Sequence, residues 1–225
     1  PASIGIFDRA GLLVTELQVP FVREDTVTNI PNECLVIPGN VCVNTTTYVT
    51  TVTLPFKEGG YQIVYQRCCR NETLQNIVEP LETGATYNIW LTEAAMLKQN
   101  SSPVFQEWPP IFICVDEPLN FDHSAIDSDG DSLVYKLVMP LQGGTFAESM
   151  PQPPNPPPYD EVVLIDPTYS VDNFLGFGDP LAISPDEGQM TVTPGIFGQF
   201  VVGVAVEEYD RQTGELLSVS RRDFQ

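Results

Sequence analysis

The chain has 225 residues, of which 21 are proline, 16 are glycine and 42% are hydrophobic. The prolines and glycines, set among short apolar runs, exclude long helices, and the apolar fraction excludes a disordered chain. Thirty acidic residues against 10 basic ones give a formal net charge of −20, which excludes nucleic acid as a partner because phosphate recognition needs clustered cations.

Strand patterns dominate the first half of the chain. Alternating β-branched and aromatic residues, separated by turn residues, predict strands at 4–7, 12–19, 48–54, 60–68 and 86–91. The segment TEAAMLKQ that follows predicts a single helical turn. We expect these elements to form one β-sandwich over residues 1–100, in a chain that begins and ends in strand patterns as a piece of a longer polypeptide would.

The second half repeats the strand-rich pattern after a break. Residues 100–110, NSSPVFQEWPP, concentrate proline and small polar residues, which is typical of a domain boundary. Further strands are predicted at 111–115, 132–139, 162–165, 189–193, 199–209 and 216–224. The proline-rich segment 142–160 should be a surface loop, because proline cannot donate ladder hydrogen bonds. The sequence therefore predicts an all-β fold with two tandem immunoglobulin-like sandwiches, 1–100 and 101–225.

Five cysteines suggest disulfides rather than a metal centre, since the chain has one histidine and no pair of Cys-x-x-Cys hooks. Cys34 and Cys42 flank a Pro-Gly-Asn turn, which favours a bridge between them and an oxidising compartment. Cys68 and Cys69 are adjacent on a predicted strand and should point to opposite faces, so at most one of them readily reaches Cys114. We take Cys69 as that partner, which leaves one thiol unexplained.

An acidic turn is the strongest candidate for a binding site. Asp127, Asp129 and Asp131 occur at every second position of AIDSDGDSLVYKL, an arrangement that directs several oxygens at one calcium ion. The alternative is a solvated turn whose aspartates cap backbone groups. The surroundings resemble a cadherin repeat: NSSPVF resembles the linker that opens such repeats, and Glu117 resembles the early glutamate. Glu207, Glu208 and Asp210, on or after a predicted strand, could complete the calcium site or serve a neighbouring domain, and an ordinary acidic strand end is the alternative. The resemblance extends the expected fold to immunoglobulin-like or cadherin-like sandwiches.

No catalytic arrangement stands out, and we expect no enzymatic activity. His123 lies between Asp122 and Ser124, but neighbours on an extended strand point to opposite faces and cannot form a catalytic triad. We expect this histidine at the surface or at the domain junction. No run approaches the 18 apolar residues of a membrane span, so no direct membrane insertion is expected.

A wider resemblance covers nearly the whole chain. GGYQIVYQRCCRN, TGATYNI, NSSPVF, DSDGDSLVY, GQFVVGVAVEEYD and SRRDFQ together resemble the PKD-like, gliding-motility-associated surface proteins of Bacteroidota. The resemblance implies a large multi-repeat protein exported by the type IX system and displayed outside the cell. Relatives usually carry a cysteine where Met139 stands, which would account for the odd cysteine count. Thr26, in Asp-Thr-Val, resembles the O-glycosylation signal of this phylum.

These observations predict an extracellular structural or adhesive module, part of a multi-domain surface protein or a surface filament attached to the outer membrane. Its partners would be neighbouring repeats of the same polypeptide or identical subunits, with surface glycans as a further possibility. Two alternatives stay open at this stage. One is a carbohydrate-binding module that uses the proline-rich loop or the aromatic residues around the boundary, Trp90, Phe105, Trp108 and Phe112. The other is an accessory domain of a secreted hydrolase.

Overall fold

The computed structural model describes residues 1–27 and 43–225. Over these residues the backbone is almost entirely β-strand and loop, which confirms the all-β fold class. The strands are β1 (Ala2–Asp8), β2 (Leu13–Val19), β3 (Phe21–Thr26), β4 (Asn44–Tyr48), β5 (Tyr61–Arg67), β6 (Ala85–Leu91), β7 (Val104–Phe105), β8 (Leu119–Asp122), β9 (Ala125–Ile126), β10 (Ser132–Leu137), β11 (Gly178–Ile183), β12 (Gln189–Pro194), β13 (Val202–Tyr209) and β14 (Leu216–Phe224).

One short α-helix, α1 (Glu93–Lys98), follows β6, where one helical turn was expected. The helix begins at the N-cap Thr92, whose hydroxyl accepts a hydrogen bond of 3.2 Å from the backbone N–H of Ala95. A single turn of 3-10 helix lies at Pro80–Glu82. No helix within 1–27 and 43–225 has the length and apolar character that a membrane crossing needs.

A seven-stranded antiparallel sheet organises the molecule, in the order β10-β13-β14-β6-β5-β1-β2. Strand β6 pairs with β5 on one side and with β14 on the other, where Trp90 lies opposite Val219. Strands from both sides of residue 100 therefore belong to one hydrogen-bonded sheet. The division into two tandem sandwiches at that residue stays a prediction.

A three-stranded sheet, β11-β12-β8, forms a second layer over part of the first. Phe121, Leu181 and Met190 of this layer pack with Val202 and Val204 of β13 in the main core cluster. Burial alternates along β12, as expected for a strand with one face towards the core. In β13, residues 202–206 are all buried, so both faces of that strand are covered. Strand β13 pairs with β10, which places Glu208 opposite Leu133 near the start of β10.

A buried ion pair ties distant segments together on the same sheet. The guanidinium of Arg70 donates to both carboxylate oxygens of Asp223, at 2.9 and 2.6 Å. The same side chain donates to the backbone oxygens of Gly84 at 3.1 Å and Leu141 at 3.2 Å. Burial raises the pKa of Asp223, and the hydrogen bonds and charge of Arg70 oppose that rise. Asp223 therefore depends on Arg70 to stay charged inside the protein.

Residues 142–160 contain neither a helix nor a strand. The backbone N–H of Asn155 donates to the side-chain oxygen of Gln66 at 2.8 Å. A Cβ placed on Gly5 would lie 2.6 Å from the ring of Phe7 and 3.2 Å from the ring of Pro154, so the glycine makes room for both rings. The proline-rich loop is thereby fastened to β1 and β5.

Candidate cation site

The acidic turn between β9 and β10 is organised by Asp127. Its Oδ1 accepts hydrogen bonds from the backbone N–H groups of Asp129 at 3.0 Å and Asp131 at 2.8 Å. Gly130 supplies the positive φ of 81° that this tight turn requires. The Asp side chain thus closes the turn with one oxygen and keeps the other, Oδ2, available.

Three carboxylates converge at this turn: those of Asp127, Asp131 and Glu208 each place one oxygen within 4.8 Å of the others. Oxygens that coordinate one calcium ion, each at about 2.3–2.6 Å, lie at comparable separations from one another. The donors are carboxylate oxygens alone, which suit hard cations such as calcium or magnesium. The residues present therefore fit such an ion.

Glu208 is the buried member of the cluster, with no exposed surface. Its Oε1 accepts a hydrogen bond of 2.7 Å from the side chain of Asn100, and its Oε2 accepts one of 2.5 Å from the hydroxyl of Ser218. Burial and the neighbouring Asp127 carboxyl raise the pKa of Glu208 to about 7, against the opposing effect of the two donors. A nearby positive charge would return this carboxyl to its ionised form.

The Oδ2 atom of Asp127 is buried and has no hydrogen-bond partner within the described residues. A buried carboxylate oxygen without a partner is costly unless a donor or a cation approaches it. Its placement beside Glu208 leaves two ways to remove that cost: a proton shared between the carboxyl groups or a bound cation.

The acidic residues proposed from the sequence do not all lie in this cluster. Asp127 and Asp131 come together, whereas Asp129 accepts a hydrogen bond of 2.7 Å from the backbone N–H of Ser101. Glu207 forms an ion pair with Lys136 and accepts a hydrogen bond from the hydroxyl of Tyr209. Glu117 is exposed in a turn before β8. None of these three belongs to the cluster found among the described residues.

Glu208 was one of three acidic candidates at the end of this strand, and the sequence alone did not single it out because adjacent residues of a strand point to opposite faces. The sequence offered Glu207 and Glu208 as neighbours, and only the pairing of β13 shows which one faces the turn. Glu208 lies opposite Leu133 of β10 and Ser218 of β14. Two polar side chains meet the Glu208 carboxylate: Ser218, 10 residues away on the paired strand, and Asn100, 108 residues away.

The connection between the two halves of the chain runs directly beside this cluster. Asn100 contacts Glu208 and Ser101 contacts Asp129 through the hydrogen bonds given above. Lys98, at the end of α1, forms an ion pair with Asp210. The cluster therefore joins the turn, the end of β13 and the start of the connecting segment.

Comparison with family models, curated proteins and solved structures finds no match.

The predicted bridge between Cys69 and Cys114 is not formed, because Cys69 is bonded to its neighbour Cys68. The prediction assumed that the strand continued to residue 68, where side chains would alternate. Strand β5 instead ends at Arg67, so the alternation rule does not apply to the two cysteines. Cys34 and Cys42 lie outside the described residues.

Two further candidates can be located. Thr26 is exposed at the end of β3, opposite Asn44 of β4, and its glycosylation stays a prediction. His123 is 1% exposed and not at the surface, with the rings of Phe105, Phe121 and Phe224 around it. Burial, together with the charge of Arg222, lowers the pKa of His123 to about 4.

Proposed function

We propose that the chain is a non-enzymatic structural and adhesive module of a large bacterial surface protein or surface filament. The resemblance to PKD-like surface proteins supports an extracellular location and export by the type IX system. The acidic composition and the disulfide between Cys68 and Cys69 are in keeping with an oxidising exterior. Neighbouring repeats of the same polypeptide or identical subunits are the partners we propose.

The observation that carries the proposal is the convergence of Asp127, Asp131 and Glu208 beside the connection between the halves. Three carboxylates so close together repel one another unless a positive charge or protons intervene. We propose calcium as that charge, because the donors are oxygens and because calcium is abundant outside cells. Sites in extracellular modules bind it weakly, with Kd of about 0.1–1 mM.

The bound ion would make the module stiff. It would hold the turn at Asp127 against the end of β13, and Asn100 would transmit that restraint to the connecting segment through Glu208. A rigid scaffold of this kind serves as a spacer that carries load or projects a neighbouring domain. Removal of the ion would loosen the connection without unfolding the sheets.

Trypsin tests this proposal locally, because Lys98 ends α1 next to the cluster. With chelator in place of calcium, cleavage after Lys98 should speed up by about tenfold, which corresponds to about 1.4 kcal/mol in the free energy of local opening. Cleavage after Arg23, on the exposed strand β3, serves as the internal control and should not change. Equal rates at Lys98 in both buffers would contradict the stiffening role.

The location is tested on intact cells of the source organism. Antibodies against the 225-residue chain should label the outer surface or surface filaments without permeabilisation, whereas a periplasmic marker should stay unlabelled. Labelling that requires permeabilisation would overturn the extracellular assignment independently of the cation site.

A further inference from the structure

An open groove lies at one end of the large sheet, on the side of α1. It has a volume of about 440 Å³ and is lined by Trp90 of β6, by α1 and by the turns at Arg9, Gly59 and Glu215. This volume lies within the range of about 300–1,000 Å³ that small-molecule sites occupy. The groove is separate from the acidic cluster, since it shares none of its three carboxylates.

The groove offers both donors and acceptors in a strongly acidic protein. Its charged lining residues are Arg9, Lys98, Glu93 and Glu215, and because Lys98 is paired with Asp210, Arg9 is the cation left to face a ligand. An anionic ligand would favour an excess of cations, which this lining does not provide. A neutral ligand whose hydroxyl groups donate to the carboxylates and accept from Arg9 fits this set of groups best.

The polar groups are oriented and partly free. Glu93 accepts a hydrogen bond of 3.1 Å from the backbone N–H of Gly59 through one oxygen, which leaves its second oxygen for another donor. Arg9 is exposed, and no ion pair of its guanidinium is found within 1–27 and 43–225. Gly59 has φ of 79°, and a Cβ there would lie 2.6 Å from Arg9 Cδ. The glycine therefore allows the arginine stem to lie along the groove wall.

Trp90 supplies an apolar surface among these polar groups. Its side chain is partly exposed, and its indole N–H makes no hydrogen bond to any described residue. An aromatic ring packs against the C–H face of a ring-shaped ligand, while its N–H can donate to an oxygen at the edge. Hydroxyl groups can both donate to Glu93 and accept from Arg9.

We infer that this groove binds a neutral saccharide. The inference goes beyond the structural role proposed above and depends on neither the cation nor the extracellular array. It places the carbohydrate-binding alternative of the sequence analysis at Trp90 and not at Trp108, which lies against the guanidinium of Arg222.

Fluorine NMR can test the inference, because the chain has two tryptophans. Protein labelled with 5-fluorotryptophan is titrated with neutral hexasaccharides (cellohexaose, mannohexaose, maltohexaose) and with the acidic hexagalacturonate, to about 10 mM, a range that covers weak binding. Trp108→Phe assigns the two signals. At least one neutral probe should shift the Trp90 signal and leave that of Trp108 in place, and hexagalacturonate should bind at least about tenfold more weakly.

Variants at exposed or partly exposed positions distinguish binding from folding. Arg9→Ala and Glu93→Gln should each weaken binding by about fivefold or more, whereas Trp108→Phe should have no effect, and all three should unfold at the wild-type temperature. The inference is overturned if no neutral probe moves the Trp90 signal, if the Trp108 signal moves instead, or if both groove variants bind as wild type does.

Discussion

The side chain of Asn100 donates a hydrogen bond of 2.7 Å to Glu208, a residue 108 positions further along the chain. Asn100 opens the segment that connects the halves, and Glu208 lies fully buried near the end of β13. One neutral amide therefore both positions the connecting segment and satisfies a buried carboxyl beside the acidic turn.

Replacement of Asn100 by alanine should destabilise the protein by about 1–3 kcal/mol, because Glu208 would lose a donor while it stays buried. Urea unfolding measures the change. Asn71→Ala, at an exposed position, is the matched control and should stay within about 0.5 kcal/mol of wild type. If the two variants unfold at the same urea concentration, the hydrogen bond to Glu208 does not stabilise the fold.

The buried pair of Arg70 and Asp223 gives a larger expected effect. Arg70→Met should cost about 3–5 kcal/mol, since it leaves Asp223 charged or protonated without its partner. Arg23→Met breaks the exposed pair with Asp25, which has an N–O distance of 2.9 Å, and should cost less than about 1 kcal/mol. Similar unfolding midpoints for these two variants would contradict the account of the sheet given above.

Acid should weaken the protein through His123. The folded pKa of about 4 lies below the ordinary histidine value of 6.5, so between these pH values the histidine stays neutral when folded and takes up a proton on unfolding. The stability that the neutral histidine contributes is fully present above about pH 6.5 and is lost as the pH falls towards 4. The free energy of unfolding should fall by about 3 kcal/mol over this range. Both ring nitrogens of His123 are buried and have no hydrogen-bond partner among the described residues. No hydrogen bond therefore stabilises the protonated ring in the folded protein.

The variant His123→Phe isolates this effect. The difference in unfolding free energy between variant and wild type should change by about 3 kcal/mol between pH 7 and pH 4. Glu208 contributes with the opposite sign, because its raised pKa adds stability that is lost as the pH rises towards 7, but that contribution is common to both proteins. A difference that stays constant with pH would show that His123 is not kept neutral.

The sequence predicted the fold class and many of the strands. The predictions were wrong where a strand's existence or end depends on the strand that it pairs with. Residues 48–54 are rich in threonine and valine, yet β4 ends at Tyr48, which pairs with Phe21, the first residue of β3. Pro20 precedes Phe21 and has no N–H to extend the ladder. Strand β11 was missed for a related reason, since Pro180 lies within it and is tolerated because β11 is an edge strand.

The site was predicted in part for a similar reason. Asp127 and Asp131 are close in sequence, and the turn pattern alone brings them together. Glu208 lies on β13, and the register of β13 with β10 and β14 decides which of its residues face the acidic turn. That register cannot be read from a single sequence. The saccharide groove collects residues from four separate segments, so no local pattern indicates it.

Calcium titration followed by thermal unfolding tests the central claim most directly. For chelator-treated wild type, about 10 mM calcium should stabilise the fold by about 1.4–2.7 kcal/mol, given Kd of about 0.1–1 mM. Glu208→Gln should abolish the stabilisation, and Glu207→Gln, which removes the same charge from the adjacent position, should retain it. An unfolding temperature that does not respond to calcium, or an equal response in both variants, would contradict a cation at Asp127, Asp131 and Glu208.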